Sequence, residues 1–286
     1  MQNVNAQKPA VRKLMQLLLL PILALLLLTP QADAADRQRI NTFLEITGFD
    51  VALDSIALNA ESAPQILGLE RSDFGARWSD ITQDIFDTQI MRDIALDLLE
   101  KSLSDEALLH AEAFYGSTLG QRLVAAENAS HQIEDSTTTQ IAGQRIIADL
   151  VREGAERVDL FKRMGRAVDS AETALTSLQE VQFRFIMAAT DAGVIALELD
   201  ADGLRALMTE QEDEMRLALQ TSNLSASAYA YQAFSDTELA KYIDALETPL
   251  MQEVYTLLNA IQFEITANRF EALAYELAKV GQGEEL

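Results

Sequence analysis

The 286-residue sequence has no cysteine. That excludes a disulfide framework, a thiol nucleophile, a cysteine-ligated zinc and a lipid anchor on an N-terminal cysteine. Histidine occurs twice, too rarely for a histidine metal cluster. Basic residues are scarce as well: 22 Lys and Arg stand against 45 Asp and Glu, for a formal net charge of −23. Phosphate contacts need a basic surface, so no nucleic-acid partner is expected. Proline appears five times, which leaves long stretches without a helix breaker.

The basic residues Lys8, Arg12 and Lys13 precede an apolar run from Leu14 to Leu28, followed by Ala32-Asp33-Ala34. A positive region, a hydrophobic region and an A-x-A site have the order of a secretory signal peptide cleaved between Ala34 and Ala35. As a helix the run spans about 22 Å, short of the roughly 30 Å hydrocarbon core. Residues 1–34 are therefore expected to be removed, leaving a protein in the periplasm or secreted. The mature chain holds 19 basic and 44 acidic residues, net −25. No later apolar run of about 18 residues exists, so no membrane span is expected after cleavage.

Alanine, leucine, glutamate, glutamine and arginine, all good helix formers, dominate the rest. Apolar residues recur at helical spacing, as in Ile81, Ile85, Ile90, Ile94 and Leu98, or Val254, Leu257, Leu258, Ile261 and Ile265. Helices are predicted near 36–47, 50–62, 76–101, 105–115, 119–133, 138–165, 169–192, 203–220, 236–247 and 249–279. The expected fold is all-α, a multi-helix bundle built from two divergent helix-corner-helix halves joined by a long central helix. The halves are 35–137 and 169–280, the bridge is 138–168, and 281–286 reads as a disordered tail.

The two halves come from an internal repeat. Leu103–Ala129 aligns without a gap to Phe234–Ala260, with seven identities including Ser104/Ser235, Gln121/Gln252 and Asn128/Asn259. Ser104 and Ser235 suit N-caps, and Ser235 with Glu238 forms a capping box. Each first helix ends at a corner, Gly116-Ser117-Thr118 in one copy and Thr248-Pro249 in the other, with proline suited to the first helical position.

The stretch Phe114-Tyr115-Gly116-Ser117-Thr118-Leu119-Gly120-Gln121, following Leu103-Ser104-Asp105, resembles the F-Y-x-S-x-x-G-Q signature of a bacterial periplasmic helical family of unknown function. Phe234-Ser235-Asp236 through Thr248-Pro249 resembles a diverged second copy, with Ala245 and Leu246 in place of the aromatic pair and Met251 in place of the second glycine. Leu44 to Gly48 is a weaker third point. The resemblance implies an exported all-α module and brings no catalytic residue with it.

The candidate interaction or packing motif is therefore Phe114, Tyr115, Ser117, Gly120, Gln121, Thr248 and Pro249. Gly116 to Gly120 is not the G-x-S-x-G elbow of a hydrolase, because the serine stands one place early and no strand precedes it. His110 aligns with Lys241, which points to an exposed position. Neither His110 nor His131 has a neighbour suited to a triad or metal site. Asp200-Ala201-Asp202-Gly203 has the start of a calcium loop, but the remaining ligand positions fail, and an acidic helix start is the simpler reading. No cofactor or metal is expected.

One basic stretch stands out. Arg145, Arg152, Arg157, Lys162, Arg163 and Arg166 cluster in residues 140–170; pairing with acidic helices of the same chain is the simpler reading, and Arg145, Arg152, Arg163 and Arg166 are candidates for an anion-facing surface. Gly143, Gly154 and Gly165 recur every eleven residues, forming one stripe if the helix is continuous and breaking it if not. Three function classes compete: a non-catalytic interaction module with an unknown periplasmic protein partner, a carrier of a small apolar molecule or lipid, and an enzyme using carboxylate pairs. A solid core with an exposed groove favours the first, an enlarged apolar cavity the second.

Overall fold

The computed structural model describes residues 37–60, 63–74, 77–133, 136–168 and 170–283; the expected signal peptide lies outside them, as do residues 284–286. Among the described residues the chain is all-helical, without a strand. The helices run α1 (Arg37–Thr47), α2 (Phe49–Ala60), α3 (Ala63–Ile66), a 3-10 turn (Arg71–Phe74), α4 (Arg77–Ile85), α5 (Thr88–Ser102), α6 (Asp105–Tyr115), α7 (Thr118–His131) and α8 (Ser136–Glu153). They continue as α9 (Arg157–Ala167), α10 (Ser170–Asp191), α11 (Ala201–Glu210), α12 (Glu212–Ala230), α13 (Asp236–Leu246) and α14 (Pro249–Gly283).

The aligned segments start where their capping chemistry places them. Ser104 accepts from the Ala107 amide and Ser235 from the Glu238 amide, each satisfying an orphan donor of the first turn. Glu238 closes the box by accepting from the Ser235 amide at 2.8 Å. The second helices start on hydroxyls too: Ser117 accepts from the Gly120 amide at 3.1 Å, and Thr248 from the Met251 amide at 3.4 Å.

Three predicted helices are interrupted. The span 76–101 stops at Ile85 and restarts at Thr88, because the Asp87 carboxylate caps the Ile90 amide. The restart shifts the helical phase, so Ile90, placed on the buried stripe, is 43% exposed. The span 138–165 is two helices: Gly154 adopts φ +65°, left-handed backbone that ends α8. The span 203–220 breaks at Gln211, whose amide caps α11. At the other end α14 continues through Gly283, so 281–283 is helix and not tail.

The 35-residue α14 is the spine of the molecule, about 52 Å long at 1.5 Å per residue. Helices α2, α4, α5, α6 and α10 all pack on it. A helix contacted from several sides must be apolar on several sides, and Met251, Val254, Leu258, Ile261, Ala267, Phe270 and Leu277 are all buried. The core is one contiguous apolar cluster. Helix α8 lies instead along α12, where a Cβ on Gly143 would overlap the Ser225 carbonyl.

Candidate functional site

The two corners meet each other. Gly120 packs against the end of its own unit's first helix, so that a Cβ there would overlap the Phe114 carbonyl and approach Tyr115 Cα to 2.6 Å. This close approach holds Phe114 and Tyr115 in place. Phe114 stacks on Tyr242 of α13, with ring planes 8° apart and centroids 5.7 Å apart. His110 is half-buried, not exposed, and its Nε2 lies 2.9 Å from Thr248 Oγ1 at the second corner. The burial follows from this contact between units. Gln121 donates to the Gly116 carbonyl at 3.4 Å, while Gln252 donates to the Leu246 carbonyl and to that of Ala167. Pro249 opens α14.

Behind these corners lies a polar cluster within the apolar core. Glu127 Oε1 accepts from Tyr231 at 2.5 Å and from Tyr242 at 2.8 Å. Tyr255 sits 3.2 Å from the Tyr242 oxygen, and Tyr115 sits 2.6 Å from that of Tyr255. Each phenol has one proton to give. With Glu127 ionised, Tyr242 spends its proton on the carboxylate, so it accepts from Tyr255, which in turn accepts from Tyr115. Four of the six tyrosines thus direct their hydroxyls toward one carboxylate. Burial raises the Glu127 carboxyl above its usual range, opposed by the two tyrosine bonds. Burial likewise lifts Tyr115, Tyr231 and Tyr242 well above the usual phenol value and pushes Tyr255 up to about 12. The phenols stay neutral donors at any physiological pH.

The second feature is an open groove of about 500 Å³ between α9, α10 and α12. Phe161, Leu217 and Leu224 give it apolar walls, and Leu217 is 65% exposed. Lys162 and Arg166 border it on α9, with Glu172 opposite on α10, bound to Arg216 at 2.6 Å. Arg166 is exposed and makes no ion pair among the described residues. The other candidate arginines sit elsewhere. Arg145 and Arg152 lie on α8, beyond the Gly154 break, with Arg152 paired to Asp149. Arg163 is spent on Asp244 at 2.9 Å and on Glu247. Arg157 donates to the carbonyls of Tyr231 and Phe234.

Asp200 caps α11 by accepting from the Gly203 amide at 2.8 Å, the acidic helix start. No group of three or more metal-ligating side chains occurs among the described residues. Sequence reasoning missed Glu127 and the tyrosines that surround it. The signal was present: Glu127 follows Leu123 by four residues and Val124 by three, so it shares their buried helical face.

The family described as "Uncharacterized protein conserved in bacteria (DUF2059)" matches residues 89–149, which hold α6, α7, the glycine corner and Glu127. No curated protein and no solved structure matches the chain.

Proposed function

We propose that the chain is exported to the periplasm, or secreted, and works there as a non-catalytic, envelope-associated interaction module. Its partner would be a protein that lays an amphipathic helix carrying acidic residues into the groove between α9, α10 and α12. The observation that carries this reading is the groove itself: an open apolar trough bordered by Lys162 and Arg166 on a chain of net charge −23. Helix-in-groove recognition needs such an apolar floor, and Arg166, together with Lys162, which is shared with Asp159 at 3.5 Å, favours acidic residues on the incoming face. Export is supported by the signal-like residues 1–34, and no described helix is long and apolar enough to cross a membrane. A non-catalytic role is supported by Glu127, whose Oε1 is spent on tyrosine hydroxyls and which has no second carboxylate bonded to it among the described residues. The two helix-corner-helix units are proposed as diverged copies of one motif, on the strength of their matched hydroxyl caps.

A photo-crosslinking residue at position 217, introduced in the full chain and activated in growing cells, tests the reading. A discrete protein adduct that disappears when Leu224 is changed to arginine is expected. No adduct from 217, or one indifferent to Leu224→Arg, overturns it. A second reading, a carrier of a small apolar ligand or lipid, draws on the same juxtaposition of cations and apolar wall, which suits an anionic headgroup. Native mass spectrometry of the protein from its own periplasm distinguishes the two by the mass of what is bound.

A further inference from the structure

A smaller pocket of about 160 Å³ opens beside the tyrosine cluster, between the α1–α2 corner, α7 and α14. Glu127 lines it, and while Oε1 holds two tyrosine hydroxyls, Oε2 receives no hydrogen bond among the described residues. Three half-buried amides, Asn128, Asn259 and Gln262, line it as well, and none makes a side-chain hydrogen bond among the described residues. Their polar atoms are open to the pocket and available to an occupant. Asn128 and Asn259 are also one of the seven identities of the internal repeat, brought to one pocket from α7 and α14. Phe49 and Leu258 supply an apolar side.

We infer that this pocket binds a small primary alkylammonium. The ammonium has three N–H donors and no acceptor, matching one free carboxylate oxygen and the amide carbonyls around it. Its alkyl chain lies on the apolar side, against Phe49 and Leu258. A divalent metal is the wrong occupant, since calcium takes six to eight oxygen ligands, commonly with several carboxylates. An anion is opposed by Glu127. The one other titratable group on the wall besides the tyrosines is His131, and desolvation holds its imidazole below the usual value, so it adds no competing charge near neutrality. The volume equals about five waters at roughly 30 Å³ each, which suits a molecule of few heavy atoms.

Isothermal titration of the mature chain with n-butylammonium, at low salt and neutral pH, tests this. Saturable binding is expected, absent with n-butyrate. Glu127→Gln keeps the shape and tyrosine bonds but removes the charge, and it is expected to weaken binding at least about tenfold. Asn259→Leu fills the pocket while leaving Glu127 in place, and it is expected to abolish binding, so a misfolded Glu127→Gln leaves a decisive variant. The melting temperature of the unaltered chain should rise with n-butylammonium and not with n-butyrate. The inference is overturned by no saturation in the millimolar range with no melting shift. It is equally overturned by n-butyrate binding as well, or by either folded variant binding within about twofold of the parent.

Discussion

The two corners solve the same geometric problem by opposite means. In the α6–α7 unit the second helix approaches by removal of a side chain, Gly120 lying against the backbone of Phe114 and Tyr115. In the α13–α14 unit the matching position is Met251, fully buried, and Pro249 presets the first turn. The glycine corner leaves room for Tyr115 to reach the tyrosine cluster, whereas the methionine corner fills its own interior. Closure by removal is tied to placing a polar side chain, and closure by filling is tied to stability.

That contrast predicts an ordered set of losses. Met251→Gly empties a fully buried site and adds a flexible backbone position inside the fold, an expected cost of about 4 kcal/mol. The urea midpoint should fall with little change in slope. The reciprocal Gly120→Met must push backbone, at a cost of about 3 kcal/mol, and tyrosine fluorescence should change as Tyr115 moves. If Gly120→Met is harmless while Met251→Gly is not, the close approach at the first corner is wrong. Removing the caps costs less: Ser235→Ala and Ser104→Ala are each expected to lose about 1 kcal/mol by thermal unfolding, with Ser235 the larger because its box is reciprocal.

The smallest effects are in pH, and there two glutamates diverge. Glu238 is held down to about 2 by the Ser235 amide, by Arg122 and by the Ser235 hydroxyl. Its contribution is fully present above the ordinary value of 4.5 and is lost as pH falls toward 2. Glu238→Gln should flatten that part of the acid-stability curve. Glu127 is held above 4.5 by burial, so its contribution is present below 4.5 and lost as pH rises through the elevated value. Glu127→Gln should therefore match the parent in acid and exceed it at neutral pH in thermal melts. Equal slopes for both variants would erase the distinction.

The sequence carried the local chemistry well. Ser104 and Ser235 are legible as caps because the interaction spans three residues, and the all-α class follows from spacing and composition. The breaks at Asp87, Gly154 and Gln211 were hidden because helical periodicity continues on both sides of each. At Gly154 the sequence allows either close packing or a break, and the left-handed backbone, φ +65° with nothing packed against it, decides for the break. Glu127 was harder. On a chain with 45 acids its one signal is the helical face it shares with Leu123 and Val124, and its partners Tyr231, Tyr242 and Tyr255 lie more than a hundred residues away. For the basic stretch, spacing along the chain leaves internal pairing and an anion-facing surface both open, because Arg163 finds its carboxylates on and just beyond α13, far along the chain.

The position of α14 in the chain has a consequence for how the protein is made. Helices α2, α4, α5, α6 and α10 precede it in order of synthesis, and each buries part of its surface against α14. Until its 35 residues emerge, the faces these helices turn toward α14 have nothing to close on. Under the proposed export, this order keeps the faces that pack on α14 apart until α14 itself has followed them, so the contacts that close the structure form after the helices they join.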